Sequence, residues 1–278
     1  MFPRTLAAAL ALTLCAAPAL AQDKPLVVGL DGTFAPHAMP KLGGGVEGFN
    51  VDMANEIGRR LGRKMEIVAQ EFSGLIPGMN AKKFDFLVAP TTVTKERSEQ
   101  LLFTEGYLDT DYQFMIKKGG KKIAKLEDLK DLTISVNKGS AYDAWARDNA
   151  TKYGFKAESY GTNTDAVQAV LAGRADANLA GNTVVAWAAK QNAQLELAYT
   201  IKTGLVWSIP FRKDDVETRN KVEEVVECMK LDGTFAKLSE KWFSVTPAAG
   251  AAAVTVFAGY GVPGMGGYVA EKPAPKCS

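Results

Sequence analysis

The feature that most limits the fold of this chain is a regular alternation of short apolar segments with amphipathic ones. Apolar runs of about five residues have the length of buried strands, and longer segments with an apolar stripe have the period of helices. The alternation occurs in two series and predicts α/β structure built from parallel βαβ units. The predicted strands lie at 26–30, 65–69, 86–89, 132–136, 156–160 and 175–180, and the predicted helices at 50–61, 75–81, 142–152, 165–172, 183–191, 217–231 and 234–242.

Two further extended segments connect the two series. Residues 112–116 lead into a charged run that contains glycine, and residues 206–211 return the chain to the first series. Two series of βαβ units joined by two crossings predict a bilobal clamshell with a hinge. The expected lobes are a discontinuous lobe 1, residues 22–115 and 207–245, and a lobe 2, residues 116–206.

The two ends of the chain differ in composition from the rest. An early arginine, an apolar core and the small-residue ending Ala19-Leu20-Ala21 predict a secretory signal peptide over residues 1–21, cleaved after Ala21, and hence a periplasmic location. Residues 246–278 are rich in Ala, Gly and Pro. We expect either a disordered tail or a segment held on the surface, and favour the second because its aromatic residues can be buried.

The charge balance and the cysteines constrain partners and covalent structure. The 33 basic and 31 acidic residues nearly cancel and form no basic stripe, which argues against nucleic acid as a partner. Cys228 and Cys277 remain after processing, and an even pair in an oxidising compartment predicts a disulfide. Such a bond stabilises by about 4 kcal/mol in the chain-entropy model. The alternative is a buried Cys228 and a free thiol in the tail.

One segment of the first series combines a buried strand with a cluster of polar side chains. Its apolar run ends at Pro90, the hydroxyl residues Thr91 and Thr92 follow, and Thr94 precedes a helix that carries Arg97. In open α/β sheets ligands bind at this edge. Threonine hydroxyls donate hydrogen bonds, and an arginine binds a carboxylate through two parallel ones. The alternative is a helix start capped by Thr94 with Arg97 in solvent.

A set of motifs spread over residues 24–245 carries a family resemblance. They read GLDGTFAPH (29–37), GFNVDMANEIGRRLG (48–62), FSGLIPGMNAKKFD (72–85), APTTVTKERSEQLLFTEGY (89–107), LAGRADA (171–177) and LDGTFAKLSEKWF (231–243). In order and spacing the chain resembles the periplasmic solute-binding proteins of ABC importers, in the polar amino-acid family. The resemblance implies a type II clamshell that closes over a small carboxylate-bearing solute. It also implies an inner-membrane ABC permease as partner and a monomeric state. We expect no catalytic activity, no cofactor and no metal ion.

The resemblance further implies a ligand site between the lobes. It places Arg97 on the carboxylate of the ligand and Asp31 near its distal group. Thr92 and the Pro90 carbonyl match positions that bind the carboxylate and the ammonium. The other predicted contacts are the walls Phe34 and Phe72, the hydroxyl of Thr91, the second-lobe residues Asn137, Ser140 and Ala141, and the pair Gly181 and Asn182.

The chain departs from this family at the end of the strand predicted at 175–180. Relatives usually carry an aspartate there that pairs with the α-ammonium of the ligand, whereas this sequence has Gly181 followed by Asn182. An ammonium without a partner in a closed cleft is costly. We therefore expect either a carboxylate ligand without an α-amine, or an amino acid whose ammonium is held by Asp31 or Asn182.

Two other functions stand as alternatives. The fold also resembles cyclohexadienyl dehydratase, an enzyme, but the sequence offers no Ser/His/Asp or Cys/His set and one histidine, His37. That histidine follows Pro36 in a predicted loop, and we expect it at the rim of the cleft. An accessory or sensory role, in which the clamshell binds another protein, has only the C-terminal segment in its favour.

Overall fold

The computed structural model describes residues 24–277, so the predicted signal peptide lies outside the described residues. None of the helices in this range is both long and apolar enough to cross a membrane. The strands are β1 (Leu26–Leu30), β2 (Met39–Pro40), β3 (Val46–Glu47), β4 (Met65–Ala69), β5 (Phe86–Leu87), β6 (Thr91–Thr92), β7 (Leu101–Phe103), β8 (Leu108–Lys117), β9 (Thr133–Asn137), β10 (Lys156–Tyr160), β11 (Ala177–Gly181), β12 (Leu195–Ser208) and β13 (Pro210–Arg212). The helices are α1 (Phe49–Leu61), α2 (Phe72–Asn80), α3 (Lys95–Gln100), α4 (Ala141–Tyr153), α5 (Asn163–Leu171), α6 (Asn182–Gln191), α7 (Val216–Leu231) and α8 (Thr234–Phe243), with a short 3₁₀ turn at Leu126–Leu129.

The first lobe is built on a parallel sheet of three strands in the order β4-β1-β5. β1 pairs with β4 along its whole length and with β5 at two positions. The predicted stripe on α1 is buried, with Val51, Ala54 and Ile57 in the core. β13 pairs antiparallel with β7, which brings the chain after the second crossing back to this lobe. The carboxyl ends of β1 and β5 therefore meet at one edge of the lobe.

The second sheet has six strands in the order β10-β9-β11-β8-β12-β6. β10, β9 and β11 are parallel, as expected for βαβ units, and the two crossing strands β8 and β12 pair antiparallel beside them. At its far end β12 pairs Trp207 with Thr92 and Ser208 with Thr91, and both threonines follow the strand β5 of lobe 1. The two lobes thus share a continuous hydrogen-bonded ladder. The predicted bilobal α/β clamshell with two crossings is confirmed.

The second crossing is longer than predicted. The structure has one strand over Leu195–Ser208 where the sequence indicated an extended segment beginning only at 206. Most residues of its first two thirds are half-buried or exposed, so no apolar run marks them. Two register shifts against β8, between Leu197 and Thr200 and between Ile201 and Leu205, also break the period-two pattern on which sequence reading depends.

The C-terminal extension, residues 246–277, has almost no regular structure but packs on lobe 1. Ala252 and Ala253 are buried, and Tyr260 forms an isolated bridge with Val269. The predicted disulfide between Cys228 and Cys277 is confirmed, with Cα atoms 5.4 Å apart. The aromatic residues expected to anchor the segment are only half-buried, namely Phe257, Tyr260 and Tyr268. The most buried side chains of the segment are those of the two alanines.

Candidate functional site

A narrow, nearly closed cavity of about 10 Å³ lies between the lobes, at the carboxyl ends of β1 and β5 on one side and of β9 on the other. All but three of the predicted ligand residues line it, and Tyr142, which the sequence did not single out, joins them. The lining consists of Asp31, Phe34, Phe72, Pro90, Thr92, Arg97, Asn137, Ser140, Ala141 and Tyr142.

Arg97 reaches the cavity from the first turn of α3. The N-cap that belonged to the alternative interpretation is present, although Arg97 is not in solvent: the Thr94 hydroxyl oxygen accepts a hydrogen bond from the Arg97 backbone N–H at 3.2 Å. One guanidinium nitrogen donates to the Thr92 carbonyl at 3.0 Å, and another crosses the cleft to the Gly139 carbonyl at 3.0 Å. The guanidinium also lies 5.7 Å from the centre of the Phe72 ring. Burial lowers the pKa of Arg97, but from a value so high that the group stays cationic.

Asp31 is buried at the end of β1. One carboxylate oxygen accepts hydrogen bonds from the Thr33 backbone N–H at 2.9 Å and from the Thr33 hydroxyl at 2.7 Å. The other oxygen accepts a hydrogen bond from the Asn137 amide of the opposite lobe at 2.9 Å. A carboxylate and a guanidinium therefore face the same cavity, each hydrogen-bonded across the cleft.

The second-lobe side of the cavity is the loop before α4. Ser140 caps this helix, because its hydroxyl oxygen accepts from the Asp143 backbone N–H at 3.1 Å. The Asp143 carboxylate accepts from the Gly139 backbone N–H at 2.8 Å, and Arg147 and Ser159 donate to it at 2.6 Å each. Asp143 fixes the loop that presents the Gly139 carbonyl to Arg97. Sequence reading missed it because nothing local distinguishes it from an ordinary first-turn acid.

Three predicted contacts lie outside the cavity lining. Thr91 points the other way from Thr92, as alternate residues of a strand do, and its hydroxyl donates to the Ala89 carbonyl at 2.9 Å. Asn182, the first residue of α6, lies in a separate surface depression with Trp187 and Trp242. Gly181 is covered: a Cβ there would lie 2.5 Å from the Trp207 indole and 3.0 Å from the Tyr142 hydroxyl. The Trp207 ring therefore occupies the space in which the resemblance led us to expect an acidic side chain.

The prediction for His37 is wrong. This residue is fully buried rather than at the rim, because its loop folds inward over the crossing strands. One ring nitrogen lies 2.9 Å from the Asn50 side-chain oxygen and the other 2.8 Å from the Thr183 hydroxyl of the second lobe. Burial lowers the pKa of His37 to about 3, so the ring is neutral at physiological pH. It ties the lobes together without carrying charge.

A candidate metal site lies elsewhere. Within residues 24–277, the carboxylates of Glu105, Glu223 and Glu227 are near enough to one another to hold an ion, beneath the C-terminal extension. Lys230 lies 2.7 Å from Glu105, and Lys272 pairs with Glu227. Because two ammonium groups already compensate this acidic cluster, we interpret it as structural.

The chain is similar to known proteins over most of its length. A family model described as bacterial extracellular solute-binding proteins, family 3, matches residues 26–245. The L-arginine-binding protein of Pseudomonas aeruginosa is 30% identical over 246 residues, which cover 85% of this chain and 94% of that protein.

Two solved structures extend the comparison. An ancestral arginine-binding protein bound to arginine superposes with a TM-score of 0.76 at 33% identity, covering 80% of this chain and 99% of the other. An ancestral amino acid-binding protein, a precursor of cyclohexadienyl dehydratase, gives a TM-score of 0.73 at 32% identity, covering 79% and 95%. With its cleft between two lobes and its match to the family model, this chain belongs to family 3 of the bacterial extracellular solute-binding proteins.

Proposed function

We propose that this protein captures an amino acid in the periplasm and delivers it to an inner-membrane ABC permease. The observation that carries the proposal is that one cation, Arg97, and one anion, Asp31, line the same cavity between the lobes. A zwitterion presents the complementary pair of charges. The names of the relatives, which bind arginine and other amino acids, support the same class of ligand.

Arg97 is the proposed partner of the ligand carboxylate. At present its guanidinium donates to two neutral carbonyl oxygens, those of Thr92 and Gly139. A carboxylate forms shorter and stronger charge-assisted bonds than a carbonyl, and it matches the guanidinium with two parallel bonds. The ligand carboxylate would replace the Gly139 carbonyl, while the Thr92 contact holds the guanidinium in place.

Asp31 is the proposed partner of the ligand ammonium. It is the one carboxylate among the residues that line the cavity. The Trp207 ring covers Gly181, and Asn182 lies in another depression, so neither residue reaches this space. Thr33 already holds one oxygen of Asp31, which leaves the oxygen now bound to Asn137 for the ligand. This favours an amino acid held by Asp31 over an acid without an amine.

The same lining supports binding without turnover. The cavity is lined by Ser140, but its hydroxyl oxygen caps α4, and His37 lies outside the lining and bonds to Asn50 and Thr183. A serine without a base beside it is a weak nucleophile. We therefore infer a binding protein rather than an enzyme of the cyclohexadienyl dehydratase kind. We further propose, from the family resemblance and the composition of residues 1–21, that it acts as a monomer and is exported by a signal peptide cleaved after Ala21.

The test is a thermal-shift screen of refolded protein with the twenty amino acids and with matched acids that lack the amine. A ligand at 100 times its dissociation constant adds about 2.7 kcal/mol to the free energy of unfolding. We expect at least one amino acid to stabilise the wild type and to bind Asp31→Asn at least about tenfold more weakly. Asp148→Asn, the same change at an exposed residue of α4 outside the cavity lining, is the control variant.

Two outcomes would contradict the proposal in different ways. If acids without an amine stabilise the protein and bind Asp31→Asn as tightly as the wild type, Asp31 does not hold an ammonium. The protein would then still be a receptor for carboxylates. No stabilisation by any member of either set would exclude the capture of amino acids.

A further inference from the structure

The C-terminal extension binds lobe 1 along a path that passes beside Arg97, the proposed partner of the ligand carboxylate. Its Ala252 backbone N–H donates to the Asp109 carboxylate at 3.0 Å, at the start of the crossing strand β8. Its Phe257 backbone N–H donates to Glu105 at 2.7 Å. Further along, the Gly266 backbone N–H donates to the Ser98 hydroxyl at 2.9 Å. Ser98 is the residue after Arg97.

Buried ionisable groups, the Lys230 ammonium and the Glu223 carboxyl whose pKa burial raises to about 8, hold the extension in this place. The ammonium of Lys230 donates to the Gly106 carbonyl at 2.6 Å and to the Thr255 carbonyl of the extension at 2.9 Å. The Glu223 carboxyl group accepts from the Gly261 backbone N–H at 2.7 Å. A buried charge or polar group without partners is costly, and the extension supplies these partners. Removing it would leave both groups with an incomplete set of hydrogen bonds.

Arg219 connects the extension to the strand that follows α3. Its guanidinium donates to the Phe103 carbonyl of β7 at 3.1 Å and to the Gly267 carbonyl of the extension at 3.3 Å. Gly267 in turn lies against Leu102 of the same strand, because a Cβ there would be 2.7 Å from that side chain. The extension therefore covers β7 as well as the end of α3.

The helix α3 depends on such support because it has only six residues. Helices of this length are unstable unless they pack against other structure. Its N-terminus is held by the Thr94 cap, and its other side by Ser98, which is fully buried. The Ser98 carbonyl accepts from Lys213 at 2.8 Å and lies so near Gly266 that an added Cβ would be 2.4 Å away. A displacement of Ser98 would move the backbone of Arg97 with it.

We propose that the C-terminal extension positions Arg97 for ligand binding, through the contact of Gly266 with Ser98. The inference rests on the proposed role of Arg97 at the ligand carboxylate. Ser98 and Gly266 are positioning residues, and neither lines the cavity. The disulfide at Cys277 keeps the extension tethered to α7, so that its contacts form within one molecule rather than by a second binding event.

The first test uses ligand-free protein and needs no binding assay. Hydrogen exchange is compared between the wild type, Gly266→Ala and the double variant Cys228→Ser with Cys277→Ser. We expect at least about tenfold faster exchange over residues 97–103 in both variants, with α1 unchanged. Glu271→Ala, at an exposed residue of the extension, is the control. Unchanged exchange over 97–103 in both variants would overturn the proposal, whatever the ligand is.

The second test measures affinity by calorimetry, with L-arginine as the first probe and the remaining amino acids after it. We expect Gly266→Ala to weaken binding about tenfold in the wild type but less than about twofold in an Arg97→Lys background, because both changes act on the same group. An equal loss in both backgrounds would show that the extension acts by another route and would overturn the proposal. If no amino acid binds, the proposed function fails, and the exchange experiment still decides whether the extension holds α3.

Discussion

The cleft and the underside of the C-terminal extension both bury charged groups, but they provide partners in different ways. In the cleft, Asp31 and Arg97 receive partners from the opposite lobe, Asn137 and Gly139. These partners leave when the lobes separate. Under the extension, Lys230 and its neighbours take partners from a segment joined to the same lobe by a disulfide. The buried charges of the cleft can therefore exchange their partners for a ligand, whereas those under the extension keep the same partners throughout.

The largest expected effect tests the permanent set. Lys230→Met removes the partner of Glu105 and of two carbonyls, so we expect the free energy of unfolding to fall by about 3–5 kcal/mol in urea titrations. Lys221→Met, at an exposed pair with Glu217, is the control and should leave the midpoint unchanged. A loss no greater than that of the control would remove the distinction between the two regions.

The second effect tests the exchangeable set. Arg97→Ala should lower the affinity for an amino acid about 100-fold, or about 2.7 kcal/mol, because the carboxylate loses its cationic partner. Unfolding in urea without ligand should change by less than about 1 kcal/mol, since the partners of Arg97 are two neutral carbonyl oxygens rather than a buried carboxylate. Lys95→Ala, in the same helix but exposed, is the matched control. Unimpaired binding would contradict the role of Arg97.

The third effect concerns the ring that covers Gly181. Gly181→Ala would place a Cβ 2.5 Å from Trp207, which is fully buried, and we expect a loss of about 1–3 kcal/mol in the free energy of unfolding. Gly74→Ala, where the nearest atom belongs to the flexible Gln70 side chain, should be neutral or slightly stabilising. Equal stability of both variants would show that Trp207 can move, and would reopen position 181 to the ligand.

The effect that is smallest near neutral pH is a pH dependence of the lobe contact at His37. Its pKa is about 3 in the folded chain, against an ordinary value of 6.5 for a solvated histidine, so the unfolded chain binds a proton first as the pH falls. Stability should therefore be lost between about pH 6.5 and pH 3, by at most about 1.4 kcal/mol per pH unit. Urea titrations at several pH values give the free energy of unfolding of the wild type and of His37→Gln. The difference between the two, plotted against pH, isolates the contribution of His37. A difference in free energy that does not change with pH would contradict the lowered pKa of His37.

The elements that could be predicted from the sequence are those whose limits depend on neighbouring residues alone. Strands 65–69 and 156–160 have the predicted bounds because each is a short β-rich run between clear breaks. Thr94 was recognisable as a cap from its place before a polar helix. The division into two lobes at residues 115 and 207, and the individual ligand contacts, remain predictions.

The misses have a common physical cause. Thr91 and Thr92 are equivalent as a sequence pattern, and only strand register decides which one faces the cavity. His37 is buried by residues from α1 and α6, far away in the chain. The cover over Gly181 comes from Trp207, and no local rule connects the two positions. Long-range packing, rather than local propensity, decides these side chains.

The contact between Gly181 and Trp207 also limits how the specificity of such a receptor can evolve. An acidic residue at position 181 would collide with the indole, and a smaller residue at 207 would first leave a cavity beside the ladder that joins the lobes. We therefore expect each single substitution to destabilise the fold and the pair together to be better tolerated. Asp31 lines the cavity without this coupling, so changes around it are the shorter route to a new ligand.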